Sequence, residues 1–270
     1  MWIETPGRKL YAYTGGREFD ASLPTVAFVH GAQHDHSVWI LQSRYIAHHA
    51  RSVLALDLPG HGRSDGPLDT TVEAMADTVL AALAAAGVER AAIVGHSMGS
   101  LIALESAARA PDRVDRIALL GAAYPMRVSE ALLEAAKNDE PRAMDMINRW
   151  SHSGITFRPG APAPGFSVYW QNRRLMARQA PGTLLSDFRA CDSYTRGLEA
   201  AAAVRCPVLF VLGERDMMTP PKAAGELAAA IARGQQGIEP SRVVIPDCGH
   251  AMMSEKPDEV LAALRDFLLP

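Results

Sequence analysis

The sequence has few cysteines and no apolar run of membrane-spanning length. Its three cysteines, Cys191, Cys206 and Cys248, are too few and too far apart for a disulfide framework or a cysteine-based metal site, and their odd number favours free thiols. No segment approaches the roughly 18 apolar residues that a transmembrane helix needs. The N-terminal residues also lack the positive stretch and apolar core of a signal peptide. We therefore predict a cytoplasmic protein with no membrane span and no bound metal.

Clusters of basic residues are also absent. Lysine and arginine together number 27 against 30 acidic residues, and the net charge of −3 is spread without a basic stripe. Nucleic acids and anionic membrane surfaces therefore have no electrostatic reason to bind. With 48% hydrophobic and 21% charged residues in a chain of 270, the composition is that of a soluble globular protein. Nothing in the sequence fixes the oligomeric state.

Short apolar runs alternate with longer helical patterns along most of the chain. The runs show little alternation of polar and apolar residues, which indicates strands buried on both faces. Helical patterns follow at about 70–86, 220–233 and 257–269. This order predicts an α/β fold with a mostly parallel central sheet flanked by helices. The predicted strands are 25–29, 52–56, 91–94, 117–120, 208–212 and 243–245.

The alternation stops between about 124 and 204, where helical patterns follow one another without a convincing strand. We predict that 124–204 is a helical lid inserted into a core formed by 1–123 and 205–270. A loop rich in proline and glycine, 159–165, divides the lid. As a group, the aromatic side chains of this segment are expected to wall an apolar cavity on one side. They are Trp150, Phe157, Phe166, Tyr169, Trp170, Phe188 and Tyr194.

The most informative motif is G-x-S-x-G at 95–99. It lies between a predicted strand and a predicted helix, which is the setting of a sharp strand-to-helix turn that exposes a serine hydroxyl. Gly95 and Gly99 provide the space that such a turn needs. The motif nominates Ser97 as a nucleophile, and the backbone N–H groups of the helix start would lie close to the group it attacks.

A serine nucleophile needs a base and a carboxylate that orients the base. His250 follows the predicted strand 243–245 and precedes the last helix, so it lies on a loop at the end of a strand. Asp216 follows strand 208–212 in the same way. Because sites in open α/β sheets form at the carboxyl ends of the strands, Ser97, Asp216 and His250 are expected to meet there.

On these residues the sequence resembles the α/β-hydrolase superfamily, in its serine-nucleophile branch with a helical lid. The order nucleophile, acid, histidine agrees with that family. So do four further segments: 30–32 (His-Gly-Ala), 57–64 (Asp-Leu-Pro-Gly-His-Gly-Arg-Ser), 213–216 and 249–250. The resemblance implies that the backbone N–H groups of Ala32 and Met98 form an oxyanion hole.

Other assignments remain possible for the acid and the base. Glu214 or Asp192 could replace Asp216. The remaining polar candidates are interpreted as structural, because His96 should point away from the nucleophile and the others lie in fold-marking turns: His30, Asp57 and His61. Substrate contacts are predicted for residues beside the oxyanion segment, in the lid and beside the acid and the histidine: Gln33, His34, Trp150, Trp170, Met217 and Met252.

The leading functional prediction is a serine hydrolase that cleaves an apolar carboxylic ester or lactone through an acyl-enzyme on Ser97, with no metal or organic cofactor. Serine at the turn disfavours the branches of this family that use an aspartate nucleophile. A carbon-carbon bond hydrolase of ring-cleavage products could use the same three residues, although its glycine-rich oxyanion segment differs from 30–33. Perhydrolysis is a close chemical variant. A non-catalytic small-molecule receptor is the alternative from a different class.

Overall fold

A computed structural model describes residues 1–49, 51–154 and 167–269. Within these ranges the chain forms one eight-stranded sheet in the order β1-β2-β4-β3-β5-β6-β7-β8. Strands β3 to β8 run parallel, whereas β2 pairs antiparallel with both β1 and β4. The strands are Trp2–Thr5 (β1), Arg8–Tyr13 (β2), Thr25–Val29 (β3), Ser52–Leu56 (β4), Ala91–His96 (β5), Val114–Leu120 (β6), Val208–Gly213 (β7) and Ser241–Ile245 (β8).

Helices cover both faces of the sheet. Alternate residues of β3 show this directly, because Ala27 and Val29 pack into one apolar cluster while Val26 and Phe28 pack into the other. Burial on both sides explains why the central strands β3, β4, β5 and β7 carry few polar residues. The helices are Ile40–Ala47 (α1), Val72–Ala85 (α2), Met98–Arg109 (α3), Glu130–Asn138 (α4), Glu140–Ser151 (α5), Val168–Met176 (α6), Thr183–Ser193 (α7), Gly197–Ala203 (α8), Gly225–Gly234 (α9), Met252–Glu255 (α10) and Pro257–Leu268 (α11).

The fold predicted from the sequence is confirmed, with two additions. All six predicted strands are present, and several extend one to three residues further. The hairpin of β1 and β2 was missed because these strands lie at the edge of the sheet, where most of their residues stay partly exposed and no continuous apolar run is needed. The predicted helix at 220–233 begins with a 3₁₀ turn, Pro221–Ala224, before α9.

Within the described residues, five helices, α4 to α8, lie between β6 and β7. Helices α4 to α7 share a small apolar core of their own, separate from the two clusters that cover the sheet. Buried side chains from all four helices form it: Leu132, Ala136, Ala143, Met144, Ile147, Met176, Leu184 and Phe188. No helix in the described ranges is long and apolar enough to cross a membrane.

Candidate active site

Ser97 occupies the sharp turn between β5 and α3. Its φ of 54° and ψ of −119° lie where a side-chain-bearing residue is strained, which costs of order 1–3 kcal/mol. The turn is possible only with glycine on either side. A methyl group on Gly95 would collide with the backbone of Gly99, and one on Gly99 would collide with the backbone of Val29. The packing of these backbones therefore places Ser97, which is half-buried, at the tip of the turn.

His250 and Asp216 form a buried pair at the ends of β8 and β7. His250 Nδ1 lies 2.7 Å from Asp216 Oδ2, and Asp216 Oδ1 accepts hydrogen bonds from the N–H groups of Met218 and Thr219, both at 2.8 Å. Burial acts to raise the pKa of the Asp216 carboxyl, but the charge of His250 and the hydrogen bonds from His250 and Thr219 outweigh it, so this pKa lies below its usual value. An ionised carboxylate only accepts, so Nδ1 of His250 carries the proton and Nε2 is left free to act as a base.

Two backbone contacts bring His250 to the turn that carries Ser97. The N–H of Ser97 donates to the carbonyl oxygen of Leu120 at 2.9 Å, and the next residue, Gly121, packs against the imidazole. A methyl group on Gly121 would lie 3.0 Å from Cε1 of His250. In addition, His96 Nε2 lies 2.9 Å from the carbonyl oxygen of His250. Among the described residues the Ser97 hydroxyl makes no hydrogen bond to His250, an arrangement that is common before substrate binds.

The segment after β3 is held by a histidine of fixed tautomer. His30 Nε2 accepts from the N–H of Leu58 at 3.1 Å, so the other nitrogen, Nδ1, carries the proton and donates to the carbonyl oxygen of Gly31 at 2.8 Å. This bond fixes the peptide plane whose N–H belongs to Ala32. Burial, followed by the charge of the neighbouring His61, lowers the pKa of His30 to about 4, which keeps this arrangement neutral.

Other carboxylates considered as the acid have different partners. Asp57 accepts from the N–H and Nδ1 of His36 and from the N–H of Arg63, so it holds two loops together. Asp192 accepts from the N–H of Val128. Glu214 accepts from the N–H of Asp247. Among these candidates, the hydrogen bond to His250 belongs to Asp216.

A small apolar cavity of about 190 Å³ opens in front of Ser97. Ala32, a predicted oxyanion donor, lines it, and so do two predicted pocket residues, Trp150 and Met217. Its other walls come from the loop after β6, from α4 and α7, and from the segment after Asp216: Met126, Arg127, Val128, Ser129, Leu132, Phe188, Cys191, Met218 and Thr219.

His34 lies elsewhere, against a second and larger cavity of about 600 Å³. This cavity also contacts His96 and His250, and α6 forms one of its walls. Two contacts position His34 there: Nδ1 lies 2.6 Å from the carbonyl oxygen of Ala32, and Nε2 lies 2.8 Å from Asn172 Oδ1. The smaller cavity therefore lies against Ser97 and the larger one against His250.

Besides His34, three other predicted pocket residues do not line the cavity at Ser97. Met252 is fully buried, within the apolar cluster that covers one face of the sheet. Trp170 is 62% exposed on α6. Gln33 is fully buried, but its side chain points away into the helices between β6 and β7 and donates to the carbonyl oxygen of Met176 at 3.1 Å.

The predicted aromatic wall is realised only in part. Trp150 and Phe188 line the cavity at Ser97, whereas the Tyr194 hydroxyl donates to the buried carboxylate of Glu105 at 2.7 Å. Tyr169 stacks edge-on against Trp170. Phe157, Phe166 and the loop 159–165 lie outside the described residues.

Two residues with clear roles in this geometry were missed from the sequence. Thr219 donates to Asp216 Oδ2 at 2.7 Å and lies 3.0 Å from His250 Nδ1. Asp187, on α7, accepts from the N–H of Gln33 at 2.8 Å. The spacing of Thr219 from Asp216 resembles an ordinary turn signal, and nothing near Asp187 in the sequence distinguishes it from a surface carboxylate.

Comparisons with known proteins agree with this architecture. A model of the alpha/beta hydrolase family matches residues 26–263. A putative carbamate hydrolase, RutD, from Agrobacterium fabrum is 28% identical over 268 residues, covering 93% of this chain and 95% of the relative. The AB hydrolase superfamily protein YisY of Bacillus subtilis is 27% identical and covers 90% of both chains.

Solved structures show the same fold. The enol-lactonase of Burkholderia xenovorans superposes with a TM-score of 0.84 at 23% identity, over all of both chains. An esterase from Exiguobacterium antarcticum also gives a TM-score of 0.84, at 18% identity, over 99% of this chain and 98% of that one. Because the family model matches residues 26–263, nearly the whole chain, this protein belongs to the alpha/beta hydrolase family.

Proposed function

We propose that this protein is a serine hydrolase that cleaves a small apolar carboxylic ester or lactone through an acyl-enzyme on Ser97. The observation that carries the proposal is the position of Ser97. It lies at a strained turn, opens onto an apolar cavity, and shares that turn with the residue that anchors His250. The fold can hold Ser97 in this strained conformation because Gly95 and Gly99 leave room for the turn. Backbone strain of this kind is typical of a functional group held in place by the fold.

The mechanism follows from the hydrogen bonds of His250. Nε2 of His250 takes the proton of the Ser97 hydroxyl as Oγ bonds to the substrate carbonyl carbon, and Asp216 stabilises the imidazolium that forms. The negative oxygen of the tetrahedral intermediate is bound by the N–H groups of Ala32 and Met98. When the intermediate collapses, His250 returns the proton to the leaving alkoxide. A water molecule, deprotonated by His250, then attacks the acyl-enzyme in the same way and releases the carboxylic acid product.

The size and lining of the cavity suggest a short substrate. At about 190 Å³ it is smaller than the roughly 300–1,000 Å³ of sites for larger ligands, and its walls are mainly aliphatic, aromatic and methionine side chains. Burying an apolar group there contributes roughly 25 cal/mol per Å² to binding. Proteins of the same fold include one named an enol-lactonase and one named an esterase, and both names agree with acyl transfer to water.

Helices α4 to α8 act in this proposal as a lid, and residues 124–204 form it. Three of its residues, Leu132, Trp150 and Phe188, wall the cavity at Ser97, and each comes from a different helix. Residues 1–123 and 205–270 form the core and carry Ser97, Asp216 and His250. Cys191, Cys206 and Cys248 are all buried free thiols, which supports a location in the reducing cytoplasm.

Turnover of a panel of p-nitrophenyl esters, simple lactones and an aryl carbamate tests the proposal. We expect esters of two to four acyl carbons to be cleaved best. Ser97→Ala and His250→Ala should each lower kcat by three or more orders of magnitude. Ser106→Ala, which removes a hydroxyl bonded to the Ile102 carbonyl on the same helix, should keep nearly full activity.

Labelling of Ser97 by a fluorophosphonate separates the alternatives. A wild-type protein that is labelled but turns over none of the panel would favour the carbon-carbon bond hydrolase. A protein that is neither labelled nor active would favour the small-molecule receptor and would contradict the proposal.

A further inference from the structure

Gln33, the residue that follows Ala32, is held in an unfavourable conformation. Its φ is 58°, a region that a residue with a side chain rarely adopts, and it is fully buried. Its N–H donates to Asp187 Oδ2 at 2.8 Å, and its side chain bonds to the Met176 carbonyl. Asp187 lies on α7 and Met176 ends α6, so contacts from the inserted helices hold the backbone beside the predicted oxyanion donor.

Asp187 makes a second buried contact, with His61 of the loop after β4. His61 Nε2 lies 3.0 Å from Asp187 Oδ2, and neither side chain is more than 1% exposed. Burial acts to lower the pKa of His61, but the charge of Asp187 and its hydrogen bond outweigh burial and raise that pKa above its usual value. The other oxygen, Asp187 Oδ1, has no hydrogen-bond partner among the described atoms.

Such a pair is expensive to keep inside a protein. Desolvation of two charges usually cancels their attraction, so that a well-packed apolar pair would stabilise the fold as well or better. A carboxylate with one unsatisfied oxygen makes the cost larger. Stability alone therefore does not account for Asp187. Its position does, because one oxygen joins α7, the oxyanion segment and the loop of His61.

We propose that Asp187 is a positioning residue for the oxyanion hole, holding the backbone of 31–33 so that the N–H of Ala32 points at the reacting carbonyl oxygen. The proposal rests on the function proposed above. His30 fixes the peptide plane before Ala32 through the Gly31 carbonyl, and Asp187 fixes the plane after it through the N–H of Gln33. With both planes fixed, the donor has no freedom to turn away from the substrate.

A sulfur substitution in the substrate tests the role of Asp187. Thionoesters place sulfur, a weaker hydrogen-bond acceptor, where the oxyanion forms, so an intact oxyanion hole strongly favours the oxygen ester. Asp187→Leu removes the acceptor for Gln33, and we expect kcat for the oxygen ester to fall about 10–100-fold with KM changed less than about threefold. The ratio of kcat/KM between ester and thionoester should fall as well, by about tenfold. Asp187→Asn keeps one acceptor and should show a smaller change in the same direction.

Glu105→Gln is the matched control. Glu105 is also a fully buried carboxylate, but it bonds to Tyr194 and Arg109, away from the oxyanion segment. This variant should lose stability in a urea titration while keeping the wild-type ester to thionoester ratio. If Asp187→Leu does not fold, Asp187→Asn, which keeps one acceptor oxygen, still tests the proposal.

The outcomes separate the two proposals. Active wild-type protein with an unchanged ratio in Asp187→Asn and Asp187→Leu would overturn the positioning role alone. An equal fall in both substrates would also overturn it, since that is the effect of a purely structural residue. Wild-type protein that neither turns over esters nor reacts at Ser97 would remove the proposed function and the positioning role together.

Discussion

His96 Nε2 donates a hydrogen bond to the backbone carbonyl oxygen of His250 at 2.9 Å. A carbonyl can only accept, so the proton of His96 is on Nε2. Burial, and then the charge of His250, hold the pKa of His96 well below its usual value, so the ring remains neutral. The residue before the proposed nucleophile therefore fixes the backbone of the proposed base.

His96→Ala removes this anchor. We expect kcat to fall about 10–100-fold with little change in KM, because the imidazole of His250 is then free to shift by a fraction of an ångström from Ser97. His96→Gln offers an amide donor and should recover part of the loss. Steady-state kinetics on a short p-nitrophenyl ester measures the effect, with His49→Ala, an exposed residue just after α1, as control. Equal activity of His96→Ala and wild type would contradict the anchoring role.

Asp216→Asn tests the orientation of His250. An asparagine amide in place of the carboxylate can present a donor to Nδ1, which favours the tautomer with the proton on Nε2. That tautomer cannot accept the proton of Ser97. We expect kcat to fall about 10⁴-fold while the fold stays intact. Far-UV circular dichroism checks the fold, and a loss below tenfold would assign the acid to another residue.

The low pKa of His30 predicts a loss of stability in acid. Its folded pKa of about 4 lies below the usual 6.5, so the unfolded chain binds more protons between these values. The stability that neutral His30 contributes is complete above pH 6.5 and is lost as the pH falls toward 4, by up to about 3 kcal/mol for this shift. Urea unfolding at pH 7, 5.5 and 4.5 gives the free energy of unfolding at each pH. This free energy should fall less steeply toward low pH in His30→Gln than in the wild type. An equal fall of the unfolding free energy in the two proteins would contradict a neutral His30.

Gly121→Ala should move the base rather than remove it. A methyl group there would lie 3.0 Å from Cε1 of His250, and the φ of 56° already disfavours a side chain. We expect kcat to fall about 100-fold and the protein to lose stability. Gly225→Ala is the matched control, because a methyl group at Gly225 meets no atom within 4 Å and it lies at the start of α9. If Gly121→Ala keeps wild-type kcat, the close packing of His250 against this glycine is not needed for turnover.

The sequence predicted the parts of the site that backbone geometry dictates. Gly95 and Gly99 mark the turn because no other residue fits there, and loops after β7 and β8 must end at the same edge of the sheet. Side-chain direction was harder to predict. Met252 and Trp170 are both on helices. There a shift of one residue position along the helix decides whether a side chain faces the core, the cavity or solvent.

Contacts between distant segments could not be predicted. The bond between Gln33 and Asp187 joins residues 154 positions apart, and its existence depends on how the inserted helices pack onto the sheet. Gln33 was predicted to touch substrate because it follows Ala32. Its positive φ instead turns its side chain toward α6, a conformation for which the sequence carries no glycine or asparagine signal.

The bonds of Asp187 limit which helices could replace 124–204 in this protein. A chimera that replaced 124–204 with the corresponding helices of a relative would bring a new cavity wall, but it would leave Gln33 and His61 without their shared acceptor. Such a graft would need a carboxylate at the position of Asp187, or compensating changes at residues 33 and 61. If 124–204 sets the substrate range and Asp187 positions the oxyanion hole, as proposed, the two properties are inherited together.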